Sequence, residues 1–580
     1  MKKFIVTFLL ILISSQTTVF GQKSKTLYYQ KALKERVFVH YNTSFALTGE
    51  HLLYKVYCIR DRNNQLSGLS KVAYVELIDA KEQVVFKNKL RLNNGTGNGS
   101  FFIPNTIPSG NYKLIAYTEW MRNEGEHYFF KGDVTIINTS QNNQNLQVKS
   151  GVETKITVAN SSTGLKTKPV KKEKDNFKLV LSQQVYAKRQ KIQLKLEGLD
   201  NNAILGSYSV SARKVNTFKK AINPTSKTYT SIYPKNNVDQ KSVAHFLPEF
   251  KGDVLKGSVL HKETGAPISN VKIVLSVPNK KFRFRFAITD ENGIFEFVFK
   301  TVHQDPKAVI QILDAKKEMY KLVLAVQKPL TYKGLTFNEI EMSPKVKEEL
   351  LAYSIQNQIE NAYGAAKQNT SVNKFATENQ FNKSVTYLLN DYNRFASVKE
   401  TVIEIVKNVR IIKKNNTHTF FVRNSDGFDE IKERPLVIVD GVFIQNHDEI
   451  IDFNASKIKS ISIVREKYVY DSYIFQGIIF IETFTKDYKN SEISNYIKNI
   501  QFDVSLNKRE FYTQPYRDGT FDRVPDYRRQ LAWLPELDLY STKKTIDFYT
   551  SDVVGDFEIT LEGFTKEGKP ISLKEFFSVK

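Results

Sequence analysis

The 580-residue sequence predicts a multidomain, mainly β chain, with antiparallel β-sandwiches in series and one small α/β unit. Three observations predict it. Aromatic and β-branched residues recur at period two along most of the chain, as in Arg36-Val37-Phe38-Val39-His40-Tyr41 and Val72-Ala73-Tyr74-Val75-Glu76-Leu77, the alternation of half-buried strands. Gly, Asn and Pro clusters separate these runs at the spacing of antiparallel sandwiches. Helical periodicity emerges only beyond residue 343, between two strand-rich regions. At roughly 100 to 200 residues per domain, the length calls for three to five domains.

The chain opens with Met1, Lys2 and Lys3, an apolar run from Phe4 to Ile13 broken only by Thr7, and a polar stretch. This is the pattern of a secretory signal, with a cut after Gly21 and a mature start at Gln22. The run is about half the roughly 20 residues that span a bilayer, no cysteine near the cut offers a lipid anchor, and no later run is apolar enough for a membrane span.

Residues 22–140 read as a first sandwich. Gly95, Gly97 and Gly99 do not fit dinucleotide spacing and are read as a turn. Cys58, the single cysteine, shares a strand face with Leu52, Tyr54 and Val56, as a small buried apolar residue does. Residues 141–175 are a polar linker carrying the basic cluster Lys166 to Lys174. A second β region, 176–250, has its clearest strands at Lys191–Leu196 and Tyr208–Ser211. Within 251–330, Phe282, Phe284 and Phe286 alternate, then Phe295, Phe297 and Phe299. The turn Asp290–Gly293 between them predicts a hairpin.

Residues 331–395 form a helical connector. Ser343-Pro344 caps a helix whose stripe is Val346, Leu350, Ile355, Ile359 and Tyr363. Residues 396–490 form the α/β unit: a helix from Ser397 with Val402, Ile405, Val406 and Val409 on one face, then strands at Pro435–Val439, Ile461–Val464 and Gly477–Ile481. Asp440-Gly441 is its strongest local motif, a tight turn whose residues tolerate positive φ. Residues 500–580 return to strands, and Gly555–Leu561 echoes Gly110–Ala116.

The formal charge is +24, a field suited to acidic polymers or anionic headgroups, while export argues against nucleic acid. One cysteine excludes an internal disulfide framework. The eight histidines are scattered without the i, i+4 spacing of a helical zinc site, so no metal is expected. No Gly-x-Ser-x-Gly elbow appears, and Ser-x-x-Lys matches such as Ser371 to Lys374 are expected by chance in so lysine-rich a chain. No cofactor and no catalytic residue is assigned.

Three stretches together resemble exported proteins of Bacteroidota. Gly49-Glu50, Tyr74-Val75-Glu76-Leu77 and Gly110 to Asn123 are similar to a macroglobulin-type, immunoglobulin-like sandwich domain. Gly257-Ser258-Val259, Gly265-Ala266-Pro267-Ile268 and Thr289 to Gly293 resemble a carboxypeptidase-regulatory-like sandwich. Pro435 to Gly441, Ile458 to Ile461 and Gly477 to Thr483 resemble the plug domain of TonB-dependent, SusC-like receptors. On this resemblance the plug-like site residues are Pro435, Val439, Asp440, Gly441 and Gly477. A 22-stranded barrel needs well over 200 residues at about 10 per strand, and Lys580 falls far short of that distance from Thr483. The resemblance therefore implies a plug-like domain without its barrel. Cys58 lacks the context of a macroglobulin thioester.

The expected protein is a non-enzymatic accessory of the cell envelope, periplasmic or outer-membrane-associated, that docks an outer-membrane protein complex through its β modules. The alternative is a module binding a glycan or peptide ligand.

Overall fold

The computed structural model describes residues 34–141, 177–198, 205–216, 223–232, 246–278, 283–299, 307–325, 329–337, 344–364, 384–425, 433–470, 473–486, 488, 494–503, 505–506, 509–511, 513–516, 523–539 and 543–580. The signal segment with Gly21 and Gln22, Ser371–Lys374 and nearly all of the basic linker lie outside them. Strands dominate, and the chain divides into two compact units. The first takes residues 1–252, 330–373 and 505–580; the second takes 253–329 and 374–504.

The first unit holds two sandwiches. In the N-terminal one, a three-stranded sheet (Glu35–Tyr41, His51–Arg60, Thr96–Phe102) faces a five-stranded sheet ordered Phe45–Leu47, Phe130–Ile137, Gly110–Tyr117, Val72–Ile78, Val84–Arg91. Val37, Val39 and Tyr41 register opposite Cys58, Val56 and Tyr54, and all six are buried in one core. Only Gly95 of the three spaced glycines sits in the turn, at φ 78°. Gly97 and Gly99 lie inside the strand, and a Cβ on Gly99 would stand 2.8 Å from the Tyr54 ring. The glycines serve close sheet packing there as well as the turn.

The second sandwich combines two segments that are far apart in the sequence. Its five-stranded sheet is ordered Val185–Tyr186, Pro570–Val579, Gly555–Thr565, Gly206–Lys214, Gln530–Leu539, and its three-stranded sheet Lys543–Tyr549, Lys191–Gly198, Phe177–Leu181. The regions read separately as 176–250 and 500–580 thus share both sheets. Their apolar faces complete each other: Tyr208, Val210 and Ala212 bury against Phe557, Ile559 and Leu561.

The polar face of the N-terminal three-stranded sheet is also buried. His40 and Lys55 are 6% and 0% exposed, because this face packs on the second sandwich. Ser207, Ser209 and Ser211 alternate with that sandwich's core residues and meet it. His40 Nδ1 lies 2.6 Å from Ser209 Oγ, Lys55 Nζ donates to Ser207 Oγ at 2.9 Å, and Tyr57 donates to the Glu562 carbonyl at 3.0 Å. Buried polar groups need such partners.

Helix Pro344–Ala362 belongs to the first unit. Leu350 and Tyr353 bury against Phe45, Leu47 and Ile137. The expected stripe is corrected here: Ile355 and Tyr363 are 50% and 42% exposed, so the docked face runs through 346, 350 and 353, and the aromatic anchor is Tyr353.

The second unit contains a sandwich and an α/β domain. The sandwich pairs a three-stranded sheet (Ile294–Phe299, Asp253–His261, Tyr320–Leu324) with a four-stranded one (Arg283–Ile288, Lys272–Val277, Lys307–Leu313, Ile497–Gln501). The expected aromatic hairpin does not form. Arg283–Ile288 pairs with Lys272–Val277, and Ile294–Phe299 with Asp253–His261. Each strand pairs in a different sheet, and the Asp290–Gly293 turn becomes a crossing between sheets. Phe295, Phe297 and Phe299 fill the sandwich core, and Phe284 joins a cluster with Leu436 and Ile438.

The α/β domain carries a five-stranded sheet ordered Val385–Leu388, Ile458–Tyr470, Tyr473–Thr483, Leu436–Val439, Val442–Phe443. Leu436–Val439 runs parallel to Tyr473–Thr483; the other pairs are antiparallel. Helix Val398–Glu404 is capped by Ser397, whose hydroxyl accepts from Glu400 N at 3.2 Å. It buries Val398 and Val402 on this core. Val409 opens a strand instead of continuing the helical face. No helix among the described residues is long and apolar enough to cross a membrane.

Candidate functional site

The plug-like motif gathers around one carboxylate. Asp440 and Gly441, at φ 49° and 88°, close a two-residue turn in which Val439 registers with Val442. Two positive φ values suit the twist of the strands they join. Asp440 accepts from Thr483 N at 2.8 Å, from Thr483 Oγ1 at 2.6 Å and from Tyr488 N at 3.2 Å. Its oxygens tie the turn to the end of the neighbouring strand. Pro435 is buried just before Leu436. Gly477 lies mid-strand at φ 81°, where a Cβ would come within 2.7 Å of the Val464 carbonyl and 2.6 Å of Val422. Each of these residues makes its contacts inside the domain.

A second candidate was not legible in the sequence. A cavity of about 480 Å³ opens in the first unit, where the Gly49–His51 segment, the helix Pro344–Ala362 and the beginning of strand Gln530–Leu539 converge. Its wall is built from an ion-pair network. Arg213 Nη2 donates to Glu50 Oε1 at 2.8 Å and to the Tyr353 hydroxyl at 2.7 Å, and that hydroxyl donates to Glu50 Oε2 at 2.6 Å. Burial works against the Arg213 charge, but Glu50 and Tyr353 outweigh it and hold the guanidinium protonated.

Arg529 stacks on Tyr353, its guanidinium carbon 3.8 Å from the ring centroid, and donates to Asn216 Oδ1 and Gln356 Oε1. Burial, with Arg213 nearby, lowers its pKa. Arg528 is neutralised by Asp526 through two 2.7 Å bonds. Two donors of the lining are buried without a partner among the described residues, Arg529 Nε and Trp533 Nε1, and both residues are more than nine-tenths buried. Arg509, at the rim, is exposed and donates to Ser100 Oγ at 3.1 Å. Burial and Arg509 together push the His51 pKa down, so His51 is neutral at pH 7.

The cavity escapes the sequence because its lining comes from segments hundreds of residues apart. Arg528-Arg529 next to Trp533 is its only local signal. Among the described residues, no group of three or more His, Cys, Asp or Glu is placed to hold a metal. Cys58 is buried, and burial, then Glu35, raise its thiol pKa.

No protein-family model and no curated protein sequence matches the chain. Among solved structures it is similar to bacterial alpha-2-macroglobulins. The Escherichia coli protein activated by porcine elastase is 7% identical, at a TM-score of 0.24 over 94% of this chain and 44% of that one. The native conformation of the Escherichia coli protein is 8% identical, at 0.23 over 95% and 41%. The Yersinia pseudotuberculosis adhesin InvE is 10% identical, at 0.13 over 50% and 60%. The chain spans less than half the length of these macroglobulins. With every TM-score below 0.5, the sandwich assignment rests on strand order and register.

Proposed function

We propose that this chain is a non-catalytic interaction protein of the bacterial cell envelope that docks an outer-membrane protein through its β modules, the α/β domain acting as a barrel-less, plug-like docking piece. The observation that carries this reading is an open sheet edge. Val385–Leu388 ends the five-stranded sheet of the α/β domain, paired only with Ile458–Tyr470 among the described residues. Val385 and Leu388 are about half exposed there. An apolar, one-sided edge strand is a template for strand addition by a partner. The signal-like N-terminus and the resemblance of Pro435 to Gly441 and Gly477 to Thr483 to a receptor plug support the compartment and the class of partner.

Affinity purification from crosslinked envelopes tests the proposal. The full chain is expected to bring down an outer-membrane β-barrel protein, and the double variant Val385→Lys, Leu388→Lys to lose it while keeping its fold. Recovery of the chain alone would sink the reading. The cavity of the first unit favours a second reading, a module for a glycan or peptide ligand.

A further inference from the structure

We infer that the cavity of the first unit binds an acidic sugar, a hydroxyl-rich ring bearing a carboxylate. The inference rests on the second reading above and names its ligand class and site. Several features of the lining converge on an anionic acceptor. Arg213 and Arg528 are satisfied by Glu50 and Asp526. Arg529 reaches only the amide oxygens of Asn216 and Gln356 and stacks on Tyr353, which leaves it without a carboxylate. Its Nε and the indole Nε1 of Trp533 are buried donors with no acceptor among the described residues. A buried donor left unmatched costs about 1 to 3 kcal/mol, and both residues line this cavity. A ligand oxygen carrying negative charge meets both needs, since charge-assisted bonds to guanidinium are the strong ones. Arg509 adds a second, exposed guanidinium at the rim, where it donates to Ser100 Oγ.

The remaining lining selects the body of the ligand. Asn361 and Ser100 bring an amide and a hydroxyl to the space, groups that both donate and accept and so suit ring hydroxyls, while Asn42, Asn357 and Gln530 are bonded within the wall and hold its shape. Glu360, which accepts from Tyr527 N at 3.0 Å, and Glu510 also line it, and their charges repel a second carboxylate, which favours one acidic group per ligand. A volume of about 480 Å³ lies within the range of small-ligand sites and suits a disaccharide. Strand Gln530–Leu539 ends its sheet at the cavity, so a peptide carboxylate is the competing ligand that the experiment separates from the sugar.

Calorimetry on the full chain with cellobiouronic acid, its neutral counterpart cellobiose, and N-acetyl-dialanine decides it. The uronic acid is expected to bind at least tenfold more tightly than cellobiose, the ratio worth about 1.4 kcal/mol. Arg509→Gln, at an exposed position, is expected to weaken it at least fivefold with the melting temperature unchanged. Trp533→Phe, which keeps an aromatic ring and deletes the donor, is expected to weaken it severalfold. Equal affinity for the two sugars overturns the inference and leaves the glycan reading standing. Binding of N-acetyl-dialanine alone overturns the sugar assignment in favour of a peptide carboxylate. Silence with all three probes overturns both the inference and the reading beneath it.

Discussion

Glu562 and His40 face each other's neighbourhood across the stacked sheets and respond to pH in opposite senses. Burial raises the Glu562 pKa from 4.5 to about 7, although Ser572 and Ser226 donate to it. The folded carboxyl therefore keeps a proton that the unfolded chain has lost. Its stabilising contribution is complete below about pH 4.5 and gone by about pH 7. His40 is pushed down from 6.5 to about 3 by burial, then by Lys55 and Lys574. The unfolded ring takes a proton that the folded ring refuses, so its contribution is complete above about pH 6.5 and lost as pH falls toward 3. Glu562→Gln removes the first effect alone. Urea unfolding at pH 5 and at pH 7.5 should show the variant gaining about 2 kcal/mol on the wild type between the two, from 1.36 kcal/mol per pKa unit; parallel curves would refute the assignment. At Asp440 the carboxylate ties down two donors of Thr483, at the end of the neighbouring strand, and Tyr488 N beyond it. Asp440→Ala should cost about 3 kcal/mol at neutral pH, read by chemical denaturation.

At the scale of elements, the helix Pro344–Ala362 shows how tertiary packing picks a face from a weakly patterned sequence. Val346, Leu350, Ile355, Ile359 and Tyr363 share apolar character and near-helical spacing, yet Ile355 is half exposed while Tyr353 is 1% exposed. Tyr353 wins because its hydroxyl has partners in Glu50 and Arg213, and a buried phenol needs such a partner. Leu350→Ala should therefore destabilise the first unit by about 2 to 4 kcal/mol and Ile355→Ala by less than about 1, a contrast that thermal unfolding reads directly. The phenylalanine series at 282–286 and 295–299 tells the same story in strands. The period-two alternation was legible, but the pairing was not, since both strands carry one apolar face and neither specifies which sheet covers it.

For the whole molecule, the N-terminal sandwich and the interleaved second sandwich bury a polar interface that sequence alternation assigns to water. Arg36, His40 and Lys55 occupy the positions where a lone sandwich shows polar residues outward. His40 and Lys55 are buried here because Ser209 and Ser207 come from a neighbour, and Arg36 is buried against Asp61, Asn64 and Tyr229. The second sandwich draws four of its eight strands from beyond residue 529. A chain truncated before Ser505 should leave strand Gly206–Lys214 without either partner and strand Lys191–Gly198 with Phe177–Leu181 alone. Limited proteolysis should then cut the 177–214 region rapidly while the Asp253–Leu324 strands and the α/β domain, whose partners remain, stay protected.

The sequence by itself determined the mainly β class, most strand positions, the turn at Asp440-Gly441 and the burial of Cys58. These follow from local propensity and side-chain period, which a strand carries wherever it docks. Tertiary structure alone decided which strands share a sheet, which helical face is buried, and that Glu50, Arg213, Tyr353, Arg529 and Trp533 wall one cavity. Those outcomes depend on contacts between residues up to several hundred positions apart, and no local pattern of polarity encodes them.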